Sequence, residues 1–366
     1  MSPRQSLRIL FVAHSFLPDS SAGVELYTAR LARSLRARGH DARVLCGRVR
    51  PGLAQNQLIE ESVDEIPTWG LVQNYPYRGL PEAVSDPAID RVVGQILDDF
   101  APDLLSVQTL AGLSLGILDE ARLRGIPRVV HLHDAWWSCP AGGQRRRPDG
   151  GLCSPVDRRL CGPCFAAYQH REGPLERGAR WLAGRLPPGV PPDLIHRGFA
   201  ALPEGAQTLA RQANERLGVL TNRAAEDSQA RTGDDTATLL DPKIALRHEA
   251  IRAVLEDVDA VLSPSQFMID SLRRDGLALE GARLLTTGVP SSMTPVAPSS
   301  GPLRVLFIGT WVPHKGPHVL ADALALLRPE ERPEVRVAGP APFPAYRADV
   351  LARAQGAMTP LGPLAP

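Results

Sequence analysis

Residues 7–46 read LRILFVAHSFLPDSSAGVELYTARLARSLRARGHDARVLC and hold a complete strand, turn, helix and strand. Residues 7–13 (LRILFVA) are mostly apolar with β-branched members, the pattern of a strand buried on both faces in a parallel sheet. A turn rich in Ser, Pro and Asp follows over residues 14–22. An amphipathic helix is expected from about Gly23, with Val24, Tyr27, Leu31 and Leu35 on one face and Arg30, Arg33 and Arg36 elsewhere. Gly39 closes it, as glycine does at helix C-termini. Residues 41–46 (DARVLC) then read as the second strand, which completes the repeating unit of a parallel α/β sheet.

The same rhythm continues outward. Residues 89–100 read as helix, 104–107 (LLSV) as strand, 113–124 as helix closed by Gly125, and 128–132 (RVVHL) as strand. Later, 250–255 read as helix and 260–263 as strand, and Ser265 can cap a helix over 266–274. Residues 166–247, with paired prolines, a helical run over 206–217 and a polar stretch near 227–235, read as an inserted excursion. The Ser-, Pro- and Gly-rich residues 291–302 mark a linker. Beyond it a second unit begins: strand 303–308, helix 317–327, strand 335–338 and helix 346–355. Only about two strand–helix repeats are expected there, against five or six strands in a doubly wound domain. The domains are thus residues 1–290 and, after the linker, 303–366.

The 366 residues fit two domains better than one. A formal charge of +1 gives no basic excess for nucleic acid. Arg145, Arg146 and Arg147 read as a solvated loop. The first apolar run is too short for a signal-peptide core, and no stretch approaches the roughly 18 apolar residues of a membrane span. A cytosolic protein is expected, with peripheral membrane contact left open.

Four segments are placed for chemistry. The turn Ser20-Ser21-Ala22-Gly23 lies at the carboxyl end of a strand, where small residues let a phosphate approach a helix terminus; an ordinary turn is the alternative. It is no GxGxxG fingerprint, so a nicotinamide cofactor is not indicated. His131-Leu132-His133-Asp134 ends another strand, where a His and an Asp project into one crevice; His131 fits the core, whereas His133, followed by Asp134 and the pair Trp136-Trp137, is better placed to line the site. Cys139, Cys153, Cys161 and Cys164 cluster as four thiolates that can enclose a structural zinc; unpaired thiols or labile disulfides are the alternatives, and Cys46 reads as packing. Cys161 and Cys164 form a CxxC, but not after a buried strand as in thioredoxins. Finally, Gly309-Thr310-Trp311-Val312-Pro313-His314-Lys315-Gly316 precedes a helix, which suits Lys315 and the helix end to a diphosphate.

Residues 8–45, HLHDAWWSCP with the later cysteines, AVLSPSQFMIDSLRRDG and VLFIGTWVPHKGPHVLADAL together resemble family 4 of the retaining glycosyltransferases. The cysteines match one branch of that family. The resemblance implies a GT-B-like α/β fold: two Rossmann-like domains with parallel sheets, the second incomplete. It implies a nucleotide-sugar donor, a sugar or lipid-linked acceptor, retention at the anomeric carbon and no catalytic metal. It puts His133 and Asp134 in catalysis, with His133 against the transferred sugar. Gly23, Gly309, Thr310, Lys315 and Gly316 fall on the donor phosphates, and Ala22, Glu25 and Trp136 on the acceptor side. Thr310 stands where the family commonly has Arg. The family's paired-glutamate motif lies further along than Pro366, so the resemblance implies a truncated member with an exposed sheet edge and doubtful activity. The alternative is a non-catalytic acceptor-binding or scaffold remnant; a thiol oxidoreductase on Cys161 and Cys164 is a third, weaker reading.

Overall fold

In the computed structural model the opening unit forms β1 (Arg8–Ala13), α1 (Gly23–Arg36) and β2 (Asp41–Arg48). The structure describes residues 6–50, 52–74, 80–147, 151–169, 209, 240–288, 301 and 303–363. The chain divides into two units, Met1–Gly288 and Val289–Pro366.

The first unit continues with β3 (Leu58–Val63), β4 (Ile66–Val72), α2 (Leu80–Val84), α3 (Pro87–Phe100), β5 (Leu104–Val107), α4 (Gly116–Leu123) and β6 (Arg128–His131). After the cysteine segment come α5 (Cys161–Gln169), α6 (Pro242–Asp257), β7 (Ala260–Ser263), α7 (Gln266–Arg274) and β8 (Arg283–Leu284). One eight-stranded sheet results, in the order β3-β4-β2-β1-β5-β6-β7-β8. Every pair is parallel except β3 with β4. The chain builds one way from β1 to β2 and the other way from β5 to β7. The strand order therefore reverses between β1 and β5, and the crevice beyond their carboxyl ends is where open α/β sheets bind ligands.

Alternation along the central strands sends side chains to two layers. Leu10, Val12, Leu105, Val107 and Val130 pack with Ile89, Val93 and Leu97 of α3 and Ile117 and Leu118 of α4. Ile9, Phe11 and Val44 face the other layer with Ala29 and Ala32 of α1. Helix starts follow capping chemistry: Asp86 accepts from the N–H groups of Ala88 and Ile89, with Pro87 opening α3, and Ser265 accepts from Met268 N at 3.1 Å.

Several readings shift. The face of α1 set against the sheet is Glu25, Thr28, Ala29 and Ala32, whereas Val24, Tyr27, Leu31 and Leu35 are only half-buried. Small side chains let the helix approach closely, and the half-buried Leu31 and Leu35 of its apolar stripe pack against the same core. The antiparallel pair β3–β4 was not expected. Its two-residue turn, Asp64-Glu65, has positive φ at both residues (50° and 66°), the hairpin geometry usually written Asn-Gly. Glu60 and Glu61 also interrupt the apolar pattern of β3. The short β8 had no signal either. The expected helix over 206–217, the polar stretch near 227–235 and the linker lie almost wholly outside the described residues, as does most of the excursion between α5 and α6.

The second unit holds β9 (Arg304–Ile308), α8 (Pro317–Ala325), β10 (Glu334–Ala338), α9 (Pro344–Arg353) and β11 (Met358–Gly362). Its parallel sheet has the order β11-β10-β9: the two expected strand–helix repeats are present, and a third strand that was not expected follows them. Pro360 and Gly362 hid β11; an edge strand tolerates both. Trp311, Ala321, Leu324, Val335, Val337, Val350 and Met358 form the core beneath α8 and α9. On β9, Leu306 and Ile308 are exposed. At the strand ends Gly339 takes φ 143°, and a Cβ there would sit 2.1 Å from the Gly309 carbonyl oxygen. Among the described residues, no helix is long and apolar enough to cross a membrane.

Candidate functional site

The carboxyl ends of β1, β5 and β6 carry one polar cluster. Ser106 and Gln108 are alternate residues at the end of β5, and His131 and His133 are alternate residues at the end of β6, so each pair shares a side of its strand. Gln108 is fully buried. Its Nε2 donates to Ser106 Oγ at 3.0 Å, and its Oε1 lies 2.9 Å from His133 Nε2. An amide oxygen only accepts, so His133 carries its proton on Nε2 in this arrangement. Ser106 accepts from Gln108, and its Oγ lies 3.3 Å from His131 Nε2. The two imidazoles stack with centroids 5.6 Å apart and planes 8° apart. Tyr27 of α1 packs against both, at 5.0 Å from His133 and 5.8 Å from His131.

Burial pushes both imidazoles down to about 4; His133 lowers His131 further, while Glu25 partly opposes the shift at His133. Both rings are thus neutral near pH 7. His133 offers a substrate a neutral, oriented ring rather than a cation. Burial raises the Asp134 carboxyl, opposed by the N–H of Trp136. Asp134 caps the single 3₁₀ turn Ala135–Trp137 by accepting from Trp136 N at 2.8 Å, so one of its oxygens is committed to the backbone.

Glu25, which the resemblance gives to the acceptor side, is fully buried. Ser15 Oγ donates to its Oε1 at 2.5 Å, and His14 Nε2 stands 3.4 Å from the same oxygen. Its Oε2 has no hydrogen-bond partner among the described residues. Glu25 thus meets the more exposed His14 and Ser15. The loop bearing them is fastened by Arg48, whose buried guanidinium donates to the carbonyls of Phe16 at 2.7 Å and Leu17 at 2.8 Å. Glu61 of the unexpected hairpin balances that charge at 2.6 Å. Ala22 and Gly23 are exposed, and a Cβ at Gly23 would meet nothing within 4 Å. The chain itself thus does not demand glycine at that position.

The resemblance gives Trp136 to the acceptor side. It is buried, edge-on to Trp137, with the Arg247 guanidinium 4.7 Å over its ring. Arg145, read as part of a solvated run, is instead paired with the buried Asp275 at 3.0 Å. Cys139, Cys153, Cys161 and Cys164 line one cavity of about 20 Å³, and none forms a disulfide. Cys161 and Cys164 sit on the first turn of α5, after the 3₁₀ turn Arg158–Leu160 rather than after a strand. Burial and then the neighbouring thiols push Cys161 up to about 12, the reverse of an activated redox thiol.

In the second unit Gly309, Thr310, Lys315 and Gly316 lie on the one turn between β9 and α8. Lys315 is exposed and ends the 3₁₀ turn Pro313–Lys315; Gly316, with φ 79°, leads into α8. The N–H groups of Lys315 and Gly316 bond within the turn, to Val312 O and Pro313 O. Lys315 Nζ and the positive end of α8 are therefore what this turn offers an anion. The residues that sequence reading missed were His14, Ser15, Tyr27, Ser106, Gln108 and Arg247. The one signal available for Ser106 and Gln108 was polar alternation at the end of an otherwise apolar strand.

The sequence model of the family described as Glycosyltransferase Family 4 matches residues 21–165, the part that supplies Gly23, Glu25, Gln108, His133, Asp134 and the four cysteines. No curated protein sequence matches the chain. Among solved structures, the chain resembles Anabaena Alr3699/HepE in complex with UDP-glucose, with TM-score 0.51 and 15% identity over 98% of this chain and 70% of that one. The same protein in complex with UDP gives TM-score 0.50, again at 15% identity and the same coverage. These likenesses show the fold, α/β with parallel sheets as in the GT-B glycosyltransferases.

Proposed function

We propose that this protein is a glycosyltransferase that moves a hexosyl or related sugar from a nucleotide-sugar to an acceptor hydroxyl with retention of configuration. The observation that carries the proposal is the ordered polar cluster at the strand-order reversal, built from the segment that the family model matches. His133 is held neutral with Nε2–H fixed on Gln108, which suits it to orient a sugar hydroxyl through the rest of its ring. Gly23 leaves open space at the start of α1 for a sugar or phosphate. In the second unit Lys315 and the end of α8 take the departing nucleoside diphosphate. A leaving diphosphate gains negative charge in the transition state, and a fixed cation stabilises it most at that point. No step of this chemistry needs a metal on the residues named. A sugar or lipid-linked acceptor in polysaccharide or glycolipid assembly is the natural recipient, approached from the cytoplasmic side with at most peripheral membrane contact.

The test is release of nucleoside diphosphate from UDP-, GDP- and ADP-sugars in the presence of an acceptor panel, with the anomeric configuration of the product read by NMR. Release with a retained anomer is expected for one donor class. An inverted anomer would overturn the retaining assignment, and no release with any donor would overturn the transferase assignment.

A further inference from the structure

The four cysteines and Arg247 take no part in sugar transfer, yet they are built together. Cys139 follows the turn that Asp134 caps, Cys153 lies on the next loop, and Cys161 and Cys164 share one face of α5 at i, i+3. All four border the same void of about 20 Å³, whose other walls include Pro140, Val156 and Leu160. That is room for about one water-sized guest. Arg146, Arg147 and Asp157 border the void as well, and Cys161 Sγ donates to the Asp157 carbonyl at 3.6 Å.

The loop is clamped before it reaches the void. Asp275, at the end of α7, accepts from Arg145 at 3.0 Å and from Val156 N at 2.9 Å, and Arg158 donates to its carbonyl at 3.0 Å. Arg247 of α6 is 4% exposed. Its guanidinium donates to the Trp136 carbonyl, three residues before Cys139, and lies over the Trp136 ring. No carboxylate among the described residues pairs with it. A buried cation without a counter-charge is costly, and a negative group beside it would offset that cost.

We infer that Cys139, Cys153, Cys161 and Cys164 bind one zinc ion as four thiolates, with Arg247 as the buried counter-charge of the resulting dianion. The step is balanced: four Cys S–H groups and Zn²⁺ give one tetrathiolate centre of net charge −2 and four released protons. Among the described residues, no three ligand-type side chains already stand as a metal-binding group. Binding would therefore have to draw the four thiols together from where they stand around the void. The ion would staple the segment after Asp134 to α5, and the segment's contact with α6 runs through Arg247 and Trp136. A four-thiolate set closed on all sides is a structural zinc site, without the open position a catalytic one keeps.

The test does not depend on sugar transfer. The chain is purified from zinc-supplemented cells and its metal content and reactive thiols are counted; it is then stripped under reducing conditions and titrated with Co²⁺. About one zinc per chain is expected, with four thiols released together on chelation. Cobalt should give the sulfur-to-metal charge-transfer and intense visible bands of a tetrahedral thiolate site. Cys161→Ser should abolish the four-thiolate spectrum. Arg247→Met keeps all four thiols and should weaken Co²⁺ affinity about 10- to 100-fold, the usual effect of losing an outer partner, while Arg247→Lys should retain most of it. If Cys161→Ser fails to fold, the wild-type spectrum and the Arg247 pair decide. A folded wild-type chain with four free thiols and no Co²⁺ spectrum, or one with two disulfides, would overturn the inference. Equal affinity in Arg247→Met and wild type would overturn the counter-charge role.

Discussion

The stacked histidines make stability depend on acid in a calculable way. His131 is 5% exposed, and burial pushes it from 6.5 down to about 4. Between those values the unfolded chain binds a proton that the folded chain refuses. Stability therefore falls as pH drops below about 6.5, and the loss is complete only below about 4. At pH 5 the difference amounts to about 2 kcal/mol for His131, from the linkage relation at 25 °C. His133 shifts equally far and adds a similar amount. Together that is a large share of the roughly 5–15 kcal/mol that holds a typical domain. Asp134, raised by burial, works in the opposite sense. His131→Gln isolates one contribution, because the other titrating groups largely cancel between wild type and variant. Urea unfolding at pH 7.5 and pH 5 should show wild type losing about 2 kcal/mol more than the variant. An equal loss in both proteins would refute the claim that His131 is buried and neutral.

Two glycines make opposite predictions. Gly23→Ala places a methyl in open space, so thermal stability should change by no more than about 0.5 kcal/mol, while sugar transfer should fall at least about tenfold; unchanged transfer would remove Gly23 from the donor or acceptor path. Gly339→Ala drives a methyl against the Gly309 backbone at positive φ, and should cost the second unit more than about 4 kcal/mol; a near-native unfolding transition would contradict the strand-end geometry.

How far the sequence revealed this fold depended on whether a local signal coincided with the tertiary role. The central strands were legible because burial on both faces leaves unbroken apolar runs such as ILFVA in β1. The β3–β4 hairpin was not, since Glu61 serves as the counter-charge of the distant Arg48 and its turn uses Asp-Glu. His133 stood out at a strand end. Its fixed proton did not, because that depends on Gln108 across the sheet. Trp136 and Arg247 show the same limit: an aromatic beside a site motif looked like a lining residue, and its covering guanidinium comes from a helix 111 residues away in sequence.

The most direct measurement of the central claim is calorimetric titration of UDP, GDP and ADP into the wild-type chain and Lys315→Ala. Lys315 is exposed at the turn before α8, and one charge-assisted contact to phosphate contributes about 1.5–3 kcal/mol. One nucleotide should bind the wild type, and the variant should bind it about 10- to 100-fold more weakly. Equal binding by both proteins would contradict the placement of the donor diphosphate, and binding by neither would contradict the nucleotide-sugar reading of this chain.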